Sequence, residues 1–247
     1  MSADTPVHGP APTPGARAGA PSDTAVRSLR ARVDGEVVRP GDDDYDRARR
    51  VWNALVDRRP ALIVRARSAA DVIETVDFAR TNDLPLAVRG GGHSPAGYGT
   101  VDGGVVVDLS TMKRLDVDPG RRVAWAEPGL TWGEYNARTH EHGLATPGGD
   151  VSAVGVAGLT LGGGMGWLMR KHGMTIDNLR AVDVVTADGR LLTASATEHP
   201  DLFWALRGGG GNFGIATGFR YLLHPVDTVL GGAIVYPATR EGLRAYA

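Results

Sequence analysis

Three clusters of glycine constrain this chain more than any other feature: Gly90-Gly91-Gly92, Gly162-Gly163-Gly164 with Gly166, and Gly208 to Gly211 with Gly214. They belong to a total of 35 glycines in 247 residues, roughly twice ordinary usage. No G-X-Y period runs through them, which excludes a collagen-like helix. A glycine loop lets consecutive backbone N–H groups converge on an anion, because no Cβ blocks the approach. Phosphate is the commonest such anion, so a nucleotide is the first ligand to consider.

The usual nucleotide folds do not match. No Gly-Lys dipeptide occurs, so there is no P-loop. Gly209 to Gly214 fits G-x-G-x-x-G, but a helical pattern precedes it and a strand pattern follows. A dinucleotide fingerprint needs the reverse order. The absence of cysteine removes disulfides, thiolate metal sites, iron–sulfur clusters and cysteine nucleophiles. A net charge of −1, from 27 basic and 28 acidic residues, argues against a general nucleic-acid binder. No apolar run reaches the ~18 residues of a membrane span, and residues 1–21 lack the apolar core of a secretory signal. A cytoplasmic protein with no membrane or nucleic-acid partner is expected.

The periodicities predict a mixture of elements. Residues 1–24, rich in Pro and Ala, read as a disordered tail. A helix is expected over residues 45–56, with Trp52, Leu55 and Val56 on its apolar side. Strands are expected at 61–64, 86–88, 105–109, 123–126, 181–186 and 215–223. Ser68 to Asp71 has capping-box spacing and opens a helix to about Arg80; Thr131 to Glu134 opens another that stops near Gly143. Ala187-Asp-Gly-Arg190 is a hairpin turn, and a helix with Phe203 and Trp204 covers 198–206. One more strand is expected at 231–237, with a helix starting at Thr239. Without a strict βαβ alternation, the fold class is α+β.

Among candidate chemical groups, His140-Glu-His142 lacks the H-E-x-x-H spacing of a metal site, and its place in a last helical turn suits cationic side chains. No metal is expected. Asp42 to Asp44 read as a solvated acidic turn, and His172 and His224 as structural or exposed. The first glycine loop is different: it leaves a strand and presents a histidine, His93, where the backbone is barest.

That loop, Arg89-Gly-Gly-Gly-His-Ser94 with Gly97-Tyr98 and Gly103-Gly-Val-Val-Val-Asp-Leu-Ser110, resembles the berberine bridge enzyme-like FAD-linked oxidases, which have the vanillyl-alcohol-oxidase type of FAD-binding fold. Thr146-Pro-Gly-Gly149, Val154-Gly-Val-Ala-Gly158, Leu161-Gly-Gly-Gly164 and Arg170 to Asn178 resemble the family's second stretch. Asp201 to Arg207 and Gly211-Asn-Phe-Gly-Ile215 resemble its third. The likeness covers roughly residues 56–227 in order.

The resemblance implies an FAD-binding domain of the PCMH type at 25–227, made of two α+β subdomains. Residues 228–247 would then begin a truncated substrate domain. It implies FAD linked through its 8α-methyl to His93, with pyrophosphate on Gly90, Gly91, Gly92, His93 and Ser94. Val154, Gly155, Gly158 and Leu159 would face it, Gly163 and Gly164 would allow close approach, and Gly214 and Ile215 would meet the adenosine end. Arg89, Gly97, Tyr98, Gly148 and Trp167 complete the implied cofactor contacts.

Relatives with a second flavin attachment use a cysteine where this chain has Val151, so one link is expected. Met165 stands where many relatives have tyrosine; it cannot serve as a base, and a gap-filling role beside the flavin is expected. Val154, small at the position governing dioxygen access, leans towards an oxidase. The implied reaction moves a hydride from an alcohol- or amine-bearing carbon of a small molecule to the flavin, then to dioxygen. No catalytic base is identified, and a further C-terminal domain or partner chain would have to supply one. The alternatives are a stand-alone FAD-binding module and an inactive fragment.

Overall fold

The computed structural model describes residues 20–230, 232 and 234–246. Two sheets form its frame. The first contains β1 (Glu36–Val38), β2 (Leu62–Arg65), β3 (Leu86–Arg89) and β4 (Val105–Asp108) in the order β1-β2-β4-β3. β2 and β3 both pair parallel to β4, whereas β1 pairs antiparallel to β2. The Val-Val-Val-Asp run of β4 is buried throughout. This is what a strand covered on both faces requires, and it explains the unbroken apolar pattern.

Helix α1 (Asp23–Arg30) and helix α3 (Ala69–Thr81) cover one face, packing Val26, Leu29, Phe78 and Ala79 with Leu62, Val64 and Val105. The short helix α2 (Tyr45–Ala48) covers the other face, with Tyr45 and Ala48 against Ile63, Ala87 and Val106.

The second sheet is antiparallel. It contains β5 (Leu115–Asp118), β6 (Val123–Ala126), β8 (Leu179–Val185), β9 (Leu191–Ser195) and β10 (Ile215–Leu222) in the order β5-β6-β10-β8-β9. β7 (Leu144–Ala145) and β11 (His224–Pro225) make a small separate pair. Helices α4 (Trp132–His140), α5 (Val156–Leu161) and α7 (Pro200–Leu206) contribute to its core. Trp132, Tyr135 and Tyr221 form an aromatic group there, and Tyr135 meets both others edge-on at 5.3 and 5.6 Å. The buried hydroxyls are paired, Tyr135 with Thr146 at 3.0 Å and Tyr221 with Thr160 at 2.7 Å. Burial pushes both phenols up, against the smaller opposing effect of the hydroxyl partner.

A third cluster joins the two sheets: Val72, Val76, Val107 and Leu109 from the first side meet Val185 and Ile215 from the second. This seam fixes how the loops at the sheet ends face each other. The mixed arrangement is α+β. The remaining helices are α6 (Met169–His172) and α8 (Arg240–Tyr246), with a 3-10 turn at Thr175–Asn178.

Several local expectations are met in detail. Thr131 and Glu134 form a reciprocal capping box. Ser68 caps α3 by accepting from the Asp71 N–H, but Asp71 does not complete the box. Its buried carboxylate instead accepts from the N–H groups of Asp34 at 2.8 Å and Arg67 at 2.7 Å, tying α1's exit to α3. The β8–β9 hairpin turns through Gly189 at φ +82°.

Others are corrected. The helix expected over 45–56 stops at Ala48. The N–H of Trp52 donates to the distant Gly92 carbonyl, and the N–H of Leu55 to the nearby Asn53 Oδ1, so one tertiary and one local side-chain partner replace the helical ladder. Trp52 and Leu55 are consequently exposed rather than on an apolar face. Helix α1 begins at Asp23, inside the segment expected as tail, because Ser22 caps it and Val26 and Leu29 are buried. Residues 1–19 of that segment lie outside the described residues. Of the strand expected at 231–237, residues 231 and 233 also lie outside them, and the described remainder carries no strand pairing and is exposed. Trp204 faces solvent while Phe203 is buried. β1 and β5 were not anticipated; both are short and only partly buried.

Candidate functional site

The first glycine loop emerges from β3 at Arg89. In the parallel register Arg89 lies opposite Asp108 of β4, and the two side chains meet at 2.7 Å, both buried. Arg89 also donates to the Arg50 carbonyl at 3.2 Å. Its guanidinium is therefore committed to anchoring the loop, and only the rest of the residue is available to the cleft.

The segment after α2 straps the loop from outside. The Trp52 N–H donates to the Gly92 carbonyl at 3.1 Å, and the Asn53 amide to the Pro95 carbonyl at 2.9 Å. Arg58 reaches the Gly97 and Thr100 carbonyls at 3.1 and 2.8 Å. The Trp52 indole stacks on the His93 imidazole, with centroids 5.3 Å apart and planes 21° from parallel.

The facing wall is the turn into α5. Its Gly155 backbone lies directly against Gly91. A Cβ on Gly91 would stand 2.6 Å from the Gly155 Cα, and one on Gly155 would stand 2.7 Å from the Gly91 Cα. No side chain fits at either position. The two loops enclose a cleft of about 510 Å³, closed on a further side by Gly210, Gly211 and the start of β10. A second cleft of about 810 Å³ shares Val88, Tyr98, Gly210, Gly211, Gly214 and Ile215 with it and extends along α3.

Two features of the cleft point to a ligand. Among the described residues, none of the backbone N–H groups of Gly90, Gly91, Gly92, His93 and Ser94 donates to a protein acceptor. Five successive donors without protein partners are an anion-binding arrangement. In addition, a Cβ on Gly158 or Gly211 would meet no atom within 4 Å, although both residues line the cleft. Glycine there leaves room rather than relieving a contact inside the protein.

The cleft brings together most of the residues singled out from the sequence: Arg89, Gly90, Gly91, Gly92, His93, Ser94, Tyr98, Val154, Gly155, Gly158, Leu159, Gly214 and Ile215. Five others do not line it. Gly97, at φ +74°, abuts Val56. Gly148 lies under the Trp132 ring, where a Cβ would fall 2.7 Å from Cδ2. Gly163 and Gly164 make room for Met174 and Thr175. Trp167 is 85% exposed. Met165 is also exposed and fills no gap. Val88, Pro95, Leu109, Ala157, Leu161, Gly162, Gly210, Gly211 and Ala216 line the cleft without having been singled out as contacts. Most are ordinary apolar or glycine positions that carry no signal of their own.

Residues 60–195 match the family model described as FAD binding domain. The chain belongs to this FAD-binding family. Its relatives are FAD-linked oxidases of the berberine bridge enzyme-like group. The (R)-6-hydroxynicotine oxidase of Paenarthrobacter nicotinovorans is 38% identical over 211 residues, covering 85% of this chain and 46% of that protein. Among solved structures, berberine bridge enzyme-like 1 of Physcomitrella patens superposes with a TM-score of 0.77 at 32% identity, covering 81% of this chain and 44% of that one. A glucooligosaccharide oxidase of Acremonium strictum, with a 6-S-cysteinyl, 8α-N1-histidyl FAD, gives 0.75 at 35% identity, covering 81% and 42%. The chain thus spans less than half the length of these relatives.

The group that the family implies fits this cleft. The loop offers unpartnered N–H groups to a pyrophosphate, and two joined clefts suit an elongated dinucleotide. No three His, Asp or Glu side chains among the described residues stand close enough to hold a metal ion. No described helix is long and apolar enough to cross a membrane. Away from the cleft, His172 and His224 stack at 3.9 Å, and His224 Nε2 pairs with Asn178 at 2.6 Å. Burial is the main cause lowering both imidazole pKa values.

Proposed function

We infer that this chain is the cofactor-holding part of an FAD-dependent oxidase that carries FAD on a single histidyl link at His93. The observation that carries this reading is the run of unpartnered N–H groups from Gly90 to Ser94, which contains a half-buried histidine, His93, lining the same cleft. The N–H groups would hold the pyrophosphate, and Gly214 and Ile215 the adenosine end. When bound, the flavin supplies an acceptor for a hydride from a carbon bearing a hydroxyl or amine, and passes the electrons to dioxygen as hydrogen peroxide.

Linking His93 to the 8α-carbon would exchange one 8α C–H and the imidazole N–H for a C–N bond, with dioxygen as the acceptor of the two electrons and two protons released. Attachment makes cofactor retention intramolecular. A second, cysteinyl link of the kind in the Acremonium strictum enzyme has no counterpart, because the chain has no cysteine and Val151 occupies the position implied by the resemblance. Val154, lining the cleft, is small enough to leave a path for dioxygen. No residue here is assigned as the base that takes the substrate proton. We assign substrate choice to the portion of the relatives that this chain does not span, or to a partner chain.

The test is a denaturing gel viewed by flavin fluorescence. Protein from flavin-supplied cells should give a fluorescent band with the intact mass of one added FAD, and His93→Ala should give a dark band. A dark wild-type band would overturn the covalent reading.

A further inference from the structure

We propose that Trp52 is the positioning residue for His93. The proposal rests on His93 being the flavin attachment point, and the juxtaposition of the two rings carries it. The indole lies 5.3 Å from the imidazole at 21° to it. Trp52 is itself held from behind, because its N–H donates to the carbonyl of Gly92, the residue before His93. Asn53 and Arg58 fasten the same strap to the Pro95, Gly97 and Thr100 carbonyls on the far side of His93. The loop is thus gripped on both flanks of the histidine, and the ring is held by the strap's own aromatic side chain.

Trp52 is 66% exposed, so hydrophobic burial does not account for its placement. The geometry suits positioning. The second torsion of histidine is broad and gives the ring no sharp tilt of its own. A planar neighbour on one face restricts the tilt. Both ring nitrogens lie on the edge of the ring; one carries its lone pair and the other its N–H in the ring plane, so stacking on the face leaves both open to form a bond. Holding one reactive atom near its bonding geometry is the main way a folded site accelerates an otherwise intermolecular step.

The test uses the full chain and two variants, Trp52→Ala and Trp52→Phe, with thermal unfolding as the fold control. The first readout is the aromatic proton NMR signals of His93, identified by their loss in His93→Ala. Ring current from the indole should displace them in the wild type. They should move in Trp52→Ala and stay partly displaced in Trp52→Phe. The second readout is the growth of the flavin-fluorescent band after FAD is added to protein from flavin-starved cells. Attachment should slow about two- to tenfold in Trp52→Ala, the range one aromatic contact supplies, and recover in Trp52→Phe. Non-covalent FAD affinity should be unchanged.

Attachment at the wild-type rate in Trp52→Ala, or His93 signals that do not move, would overturn the proposal. If the wild type attaches no flavin, the attachment reading of His93 fails. The NMR readout then decides the Trp52–His93 contact separately.

Discussion

Gly158→Ala separates the needs of the fold from those of the ligand. Gly158 lies inside α5, where glycine costs roughly 0.5–1 kcal/mol relative to alanine. A Cβ there meets no protein atom within 4 Å, so nothing offsets the gain in helix propensity. The ligand-free variant should be more stable by that amount, which raises the melting temperature by about 1–4 °C for a chain of this size. Gly158 also lines the cleft, so on the proposed reading the same methyl group projects into the space FAD would occupy. Overfilling a packed contact costs about 1–3 kcal/mol, which weakens FAD binding by roughly fivefold to a hundredfold or more. Both quantities are best measured in the His93→Ala background, where binding is reversible, by thermal unfolding without FAD and by flavin fluorescence titration. A variant that loses stability without FAD would show that the space around Gly158 is not open. Unchanged FAD affinity would place the flavin elsewhere.

Three other perturbations test the frame of the cleft. Gly91→Ala and Gly155→Ala should each destabilise by about 1–3 kcal/mol in denaturant unfolding. The double variant should cost less than their sum, because either methyl already separates the two backbones; strict additivity would contradict the crossing. Asp108→Ala leaves the buried Arg89 guanidinium without its carboxylate and should cost about 3–5 kcal/mol, whereas the paired apolar change Arg89→Met with Asp108→Leu should cost less. The stacked histidines predict a pH dependence. Their folded pKa values lie below the ordinary 6.5, so the unfolded chain binds more protons as the pH falls through that value. Their contribution is complete above about pH 6.5, is lost as the pH drops towards the lowered folded values, and levels off below them. Melting temperatures across that range should fall less steeply in a His172→Gln, His224→Gln double variant.

Elements governed by local chemistry were legible from the sequence. The Thr131 box, the Gly189 turn and the apolar runs of β2, β4 and β10 each state their conformation within a few residues. Segment 45–56 misled because its apolar spacing is real but its partners are distant. The bonds that end the helix run from Trp52 to Gly92 and from Asn53 to Pro95, about forty positions away, and no periodicity encodes them. Asp71 is a similar case. Its spacing from Ser68 suggests a local cap, yet its carboxylate serves Asp34, in the bend between α1 and β1, thirty-seven positions away.

The site shows the same division among residues of one type. All the glycine clusters suggested backbone access to an anion, but the structure gives their members different duties. Gly91 and Gly155 are glycine because each excludes a side chain on the other. Gly148, Gly163 and Gly164 are glycine because Trp132, Met174 and Thr175 occupy the space a Cβ would need. Gly158, Gly210 and Gly211 are the cleft glycines that face space the protein leaves open, and of these Gly210 also needs glycine for its φ of +70°. A one-letter pattern cannot distinguish these cases, because glycine marks the absence of a side chain and not the reason for it. The reason lies in what stands opposite, which is fixed only when the seam of Val107, Val185 and Ile215 sets the two sheets against each other. For this reason alanine substitutions at Gly91 and Gly158 should change stability in opposite directions, although both residues line the same cleft.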